Sequence, residues 1–157
     1  MPLQWRFCHF SELDGHEVYD LVRLRAAVFV LEQQCLYEDM DNQDFHAHHV
    51  LGTQDSILLA SARLFAPGQR CEEASIGRVV TARACRRTGA GRQLMQQAIA
   101  AVQSKWGAVP IRVGAQTYLQ RFYESLGFRR VGDDYLEDGI PHLPMRRESD
   151  PPVTEMT

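Results

Sequence analysis

The sequence predicts a single α/β domain in which a mixed sheet carries helices on its faces. Three observations lead there. Apolar residues alternate with period two in several short segments, and between those segments the spacing switches to three and four. The resulting order is strand, helix, two strands, strand, helix, strand, helix, strands, which interleaves the two element types. A chain of 157 residues with 45% hydrophobic and 24% charged side chains is large enough to bury one core without staples.

Leu3 to Phe10 alternates as a first strand. Val18, Leu21, Val22, Val28 and Phe29 recur at helical spacing, with Arg25 inside the same stripe. His49 to Thr53 and Ile57 to Phe65, joined by Gln54-Asp55-Ser56, read as a hairpin, and Ile76 to Thr81 is the next strand. Gly89-Ala90-Gly91 opens a helix with the stripe Leu94, Met95, Ala98, Ile99, Val102 and Trp106, which Gly107 and Pro110 close. Ile111, Val113 and Ala115 alternate. Leu119, Phe122, Tyr123 and Leu126 form a short helix that ends at Gly127. Phe128 to Val131 and His142 to Arg146 make a final strand pair across an acidic turn at Asp138-Gly139. Residues 1–148 form the domain, and 149–157, with two prolines and little apolar matter, a flexible tail.

A net charge of −3 argues against a nucleic-acid partner. No apolar run spans a membrane, and the N-terminus lacks the pattern of an export signal, so a cytoplasmic location is expected. Cys8, Cys35, Cys71 and Cys85 contain no C-x-x-C pair and read as reduced thiols. His46-Ala47-His48-His49 would put His46 and His48 on one strand face, but no further ligand lies near in sequence, and no metal is expected. An exposed Trp5 is compatible with a homodimer.

The most informative stretch runs from Ile76-Gly77-Arg78-Val79-Val80-Thr81 to Arg86-Arg87-Thr88-Gly89-Ala90-Gly91. A strand leads through a basic turn into two glycines and a long helix. Small residues let backbone N–H groups approach an anion, the helix N-terminus adds about half a positive charge, and Arg86, Arg87 and Arg92 add more. Walker and dinucleotide-binding fingerprints both fail, because no Gly-Lys-Ser/Thr follows and Leu94 occupies the third glycine position.

With these segments the chain resembles the GNAT acetyltransferase superfamily. Its Arg/Gln-x-x-Gly-x-Gly/Ala loop is matched by Arg86, Gly89 and Gly91, and its Asn-x6-Tyr-x3-Gly-Phe segment by Gln116, Tyr123, Gly127 and Phe128, with Gln in place of Asn. Arg25-x2-Val28-Phe29-Val30-x-Glu32-Gln33, the Tyr37 to Asp41 run and Asp138-Gly139-Ile140-Pro141-His142 look like the ElaA group of small bacterial members. The resemblance implies a mixed sheet of about six to seven strands flanked by three to four helices, with a V-shaped splay between two central parallel strands, Arg78 to Thr81 and Ile111 to Gln116. It implies acetyl-CoA as cosubstrate and an amine acceptor. Val79, Val80 and Thr81 would pair with the pantetheine arm, an N–H near Val80 would hold the thioester oxygen, and Gln116 would meet the arm. The loop Arg86, Arg87, Thr88, Gly89, Ala90, Gly91 and Arg92 would seat the pyrophosphate.

Transfer in a ternary complex gains mainly from proximity and leaves two proton tasks. Tyr123, with an ordinary pKa of about 10, is the expected general acid, although its stripe position also suits core packing. Glu32, Asp41 and His142 are the candidate bases, beside a route through water. Partial burial is expected to raise the pKa of Glu32. Arg25 is expected to anchor Glu38, Asp39, Asp41 and Asp44 by ion pairing, and acids in that loop would also suit a cationic amine. Two other readings are an acyl-homoserine-lactone synthase, which shares an early Arg…Val-Phe…Glu…Asp…Asp region, and a non-catalytic acyl-CoA sensor.

Overall fold

The computed structural model describes residues 2–149, so the expected tail lies, apart from Ser149, outside the described residues. The order is β1 (Gln4–His9), α1 (Gly15–Arg25), a π-helical stretch (Ala26–Glu32), β2 (His48–Gln54), β3 (Ile57–Phe65), β4 (Ala74–Thr81), α2 (Ala90–Trp106), β5 (Ile111–Gln116), α3 (Gln120–Glu124), β6 (Phe128–Arg130), β7 (Tyr135–Glu137) and β8 (Ile140–Arg147). The strands form one sheet in the order β1-β2-β3-β4-β5-β8-β6, with β7 also on β8. All pairs are antiparallel except β4 with β5.

Among the described residues the sheet thus has eight strands where six to seven were expected. The extra one is β7. Phe128 to Arg130 does pair with Met145 to Arg147, but the Asp138-Gly139 turn closes a separate hairpin, Tyr135–Glu137 against Ile140–His142. Both turn residues have positive φ, 50° and 78°, as a two-residue hairpin turn requires.

Asp14 caps α1 through a reciprocal pair: Glu17 N–H donates to Asp14 Oδ1 at 2.8 Å and Asp14 N–H donates to Glu17 Oε1 at 3.0 Å. The α-helix stops at Arg25, short of the expected Phe29. Beyond it the hydrogen bonds widen to five residues, as in Gln33 N–H to the Val28 carbonyl at 3.1 Å.

The two long helices cover opposite faces. Val50 packs with Leu94, Met95 and Val102 of α2, whereas its neighbour Leu51 packs with Leu21 of α1. Each such fully buried side chain stabilises the fold by about 1.5–3 kcal/mol. Strand β4 breaks this alternation. Opposite Ser61 and Arg63 stand Val80 and Gly77, so β4 carries one extra residue, and Arg78 sits in the left-handed region at φ 47°. Side chains therefore change faces. Ala74 and Ile76 belong to the α2-side core, while Val80 packs with Leu24 and Val28 on the α1 side.

Trp5 is not exposed as expected, because its ring lies over Gly52, whose missing side chain leaves the space. His46 falls in a 3-10 turn before β2, so it does not share a strand face with His48. His48 packs edge-on to Trp106 at 5.4 Å, and His49 points inward, fully buried.

Candidate active site

Strands β4 and β5 pair only at Ala74↔Ile111 and Ser75↔Arg112. Past that point the ladder between them ends and the facing backbone edges lack each other as partners. Buried N–H and C=O groups need partners, so such a gap suits an extended polar chain that bonds to both edges. Ala82 N–H donates to the Leu59 carbonyl of β3 at 2.7 Å. Period-two alternation therefore turns the Val80 N–H toward β3 as well and leaves that of Thr81 for the gap, with the bulge at Arg78 and Val79 beside it. A cavity of about 460 Å³ opens there, lined by Val79 of the bulge, Gly114 and Gln116 of β5, Tyr123 of α3 and His142 of β8.

At one side of the gap α2 begins. Gly89 holds φ +84° as its N-cap, and no side chain caps the helix. The first N–H groups are thus open to an anion, reinforced by the helix dipole. Nothing lies within 4 Å of a Cβ built at Gly89 or Gly91. Arg87 is exposed in the turn with φ 65°. The Thr88 hydroxyl donates to the Cys85 carbonyl, and Arg92 reaches the Ser125 hydroxyl at 2.7 Å with its guanidinium over the Phe122 ring. Arg86 forms a two-pronged pair with Glu32, one contact being Nη2 to Oε2 at 2.6 Å.

That pair corrects the expectation for Glu32. Its carboxylate does not line the cavity, and the Arg86 hydrogen bonds hold its pKa below the usual carboxylate range rather than above it. Asp41 is committed as well. Arg63 donates to both its oxygens, at 2.8 and 3.0 Å. Burial alone would raise its pKa, but the Arg63 and Gln43 N–H hydrogen bonds prevail and hold it at about 2.

Behind the cavity wall lies a balanced ion network. Arg25, 1% exposed, meets Asp39 at 2.9 Å and Asp44 at 2.7 Å. Arg63 meets Asp41 and Asp44, and Arg78 meets Asp39 at 2.8 Å and Asp41 at 3.5 Å. The charge inside the α1 stripe is thus matched, as expected, by the acidic run. Asp39, Asp41 and Asp44 are consequently unavailable to a cationic substrate, and Glu38 stands apart on the surface. Tyr37 donates to Asp39 at 2.9 Å and lies under the Arg78 guanidinium. Sequence reasoning singled out Arg25 but not Arg63, which interrupts the apolar run of β3 in the same way. Nothing local marked Arg78 as a bulge residue.

Tyr123 is buried, edge-on to Phe128 at 5.7 Å, and burial pushes its pKa up to about 12. It belongs to the α2-side core and to the cavity wall at once. His142 is buried opposite Gln116 and stacked on Tyr135. Its Nδ1 lies 2.7 Å from the Ile140 carbonyl, which only accepts, so the ring proton belongs on Nδ1. Nε2 faces Glu137 Oε2 at 3.3 Å. Glu137, on the unforeseen β7, had no signal in the sequence. Cys35 and Cys71 also line the cavity, and all four cysteines are free. Among the described residues no helix is long and apolar enough to cross a membrane.

Residues 16–149 match the family described as acetyltransferase (GNAT) domain. The chain is 41% identical over 148 residues to protein ElaA of Escherichia coli strain K12, covering 93% of this chain and 97% of ElaA. The crystal structure of E. coli ElaA superposes with a TM-score of 0.87 at 40% identity, over 93% of this chain and 99% of that one. An acyl-CoA N-acyltransferase from Pseudomonas aeruginosa gives a TM-score of 0.88 at 41% identity, over 92% and 99%. The acyl-homoserine-lactone synthase LasI gives 0.75 at 13% identity, over 93% and 89%, a likeness of fold alone.

Proposed function

The chain is an acyltransferase of the GNAT acetyltransferase family, in its ElaA-like group, and we propose that it moves an acetyl group from acetyl-CoA to a primary amine by direct attack in a ternary complex. The observation that carries this reading is the pair of parallel strands that separate after two residue pairs, beside a helix N-terminus with no side-chain cap.

Thr81 directs its backbone N–H into the gap, where the pantetheine arm takes the place of a strand, and Val79 stands at the bulge beside it. The Val79 N–H faces the thioester oxygen, which gains negative charge as the amine attacks. This refines the expectation of a donor near Val80. Gln116 meets the arm from β5. Arg86, Arg87, Thr88, Gly89, Ala90, Gly91 and Arg92 hold the pyrophosphate, with the α2 dipole supplying a fixed partial charge.

His142 Nε2 takes the proton of the bound ammonium, and Glu137 stabilises the imidazolium that forms. The free amine bonds to the carbonyl carbon, the carbon–sulfur bond breaks, the departing thiolate takes the Tyr123 hydroxyl proton, and the nitrogen gives its second proton to the Tyr123 phenolate, which restores the phenol. A phenol held at about 12 stays protonated at neutral pH and so is available as the proton donor.

Acetyl-CoA binding measured by calorimetry tests the donor site. Wild type binds, and a Gly89→Glu, Gly91→Glu double variant, with carboxylates in the anion seat, loses at least roughly 100-fold. Absence of binding by wild type overturns the reading. Tyr123→Phe lowers kcat by roughly 100-fold at unchanged acetyl-CoA affinity. Unchanged turnover across pH removes Tyr123 from the acid role.

A further inference from the structure

We propose that the acceptor is an amine that also carries a carboxylate or comparable anion, bound with its amine at His142 and its anion on Arg70 and Arg112 at the far end of the cavity. This rests on the acyl transfer argued above and starts from the charge on the cavity wall. Four guanidiniums line it, those of Arg63, Arg70, Arg78 and Arg112, and the lining acids are Glu137 and Asp138 beside His142. Arg63 and Arg78 are neutralised from behind by Asp39, Asp41 and Asp44. Arg112 shares Glu73 with Arg146, at 3.5 and 3.4 Å.

Arg70 differs from all of these. It is exposed, and none of the ion pairs among the described residues includes it. Its guanidinium lies 4.9 Å from the centre of the Phe65 ring, which Arg63 also approaches, at 5.1 Å. Phe65 is 2% exposed, a fixed platform. Arg70 is therefore oriented by stacking on a buried aromatic ring and has its hydrogen-bonding fork left over, which suits a planar carboxylate.

The two ends are separated along the sheet. Arg112 stands opposite Ser75, where β4 and β5 still pair, and His142 stands opposite Gln116, four residues further along β5. Arg112, Gly114 and Gln116 share one face, so the interval is about 13 Å at about 3.3 Å per residue. An arginine side chain reaching along the sheet shortens that distance, leaving the length of a lysine between an amine at His142 and a carboxylate at Arg112, with Arg70 on the same cavity wall. A polyamine would set a second cation against Arg70, and a plain alkylamine would leave its charge unmatched.

Nα-acetyl-lysine and its carboxamide present the same ε-amine and differ only in the carboxylate. With saturating acetyl-CoA, kcat/KM for the carboxylate exceeds that for the amide by about tenfold or more, chiefly through KM. In Arg70→Met the preference falls to near one while kcat on the amide is retained, and a thermal melt confirms the fold. Equal or reversed preference in wild type, no turnover of either compound by protein that binds acetyl-CoA, or a preference that survives Arg70→Met overturns the proposal. Wild type that fails to bind acetyl-CoA overturns the acyl transfer itself.

Discussion

Replacing Asp44 by Asn removes one charge from the buried network with almost no change of shape. Three guanidiniums, Arg25, Arg63 and Arg78, then face two carboxylates, Asp39 and Asp41. Arg25 loses its 2.7 Å partner while remaining 1% exposed, and Arg63 loses a contact at 3.2 Å. An uncompensated buried charge costs about 3–5 kcal/mol. With about 2.1 cal/mol/K of unfolding entropy per residue, a chain of 157 residues changes stability by about 0.33 kcal/mol per degree near Tm. Asp44→Asn should therefore lower Tm by about 9–15 °C in a calorimetric scan. Adding Arg63→Met restores the balance of charges, so the double variant should be more stable than the two single losses sum to, by at least about 1 kcal/mol. A cost for Asp44→Asn below about 1 kcal/mol, or one that vanishes in 1 M salt, would show a screened surface pair and refute the reasoning.

Glu32→Gln releases Arg86 for the pyrophosphate, so acetyl-CoA affinity should rise roughly two- to fivefold at low ionic strength and the gain should shrink with salt; an unchanged Kd means that Arg86 does not serve the donor site. Acid lability should follow His49, whose pKa burial depresses from 6.5 to about 4. The unfolded chain takes up this proton below pH 6.5 and the native one only near 4. Stability is thus full above pH 6.5 and falls by up to about 3 kcal/mol as pH drops to 4. Urea midpoints that stay level between pH 7 and 4.5 contradict it. Asp41, held at about 2, adds a further loss below its ordinary value of 3.8.

The order of elements was legible because most strands and helices here bury one face and keep its period. The anion loop was legible because Gly89 adopts φ +84°, a conformation that favours glycine, directly before a long amphipathic helix. β7 was not. Three residues are too few to establish a period, and Tyr135, Leu136 and Glu137 are all exposed. The base followed the same logic: Glu32 follows an apolar helix, yet its partner Arg86 is 54 residues away and reaches it only through the fold.

The bulge in β4 ties these features together. Arg78 occupies a backbone region that costs an L-residue about 1–2 kcal/mol, although glycine, its own neighbour at position 77, would adopt it freely. An arginine stands there because its side chain leaves the strand at the bulge and meets Asp39 and Asp41 over the Tyr37 ring. The extra residue also sends Val80 to the α1 face and leaves Val79 on the cavity wall. The bulge on the gap-facing strand is thus anchored by the ion network beneath it. The acidic run expected to pair with Arg25 also holds Arg78, and through it the bulge, in place.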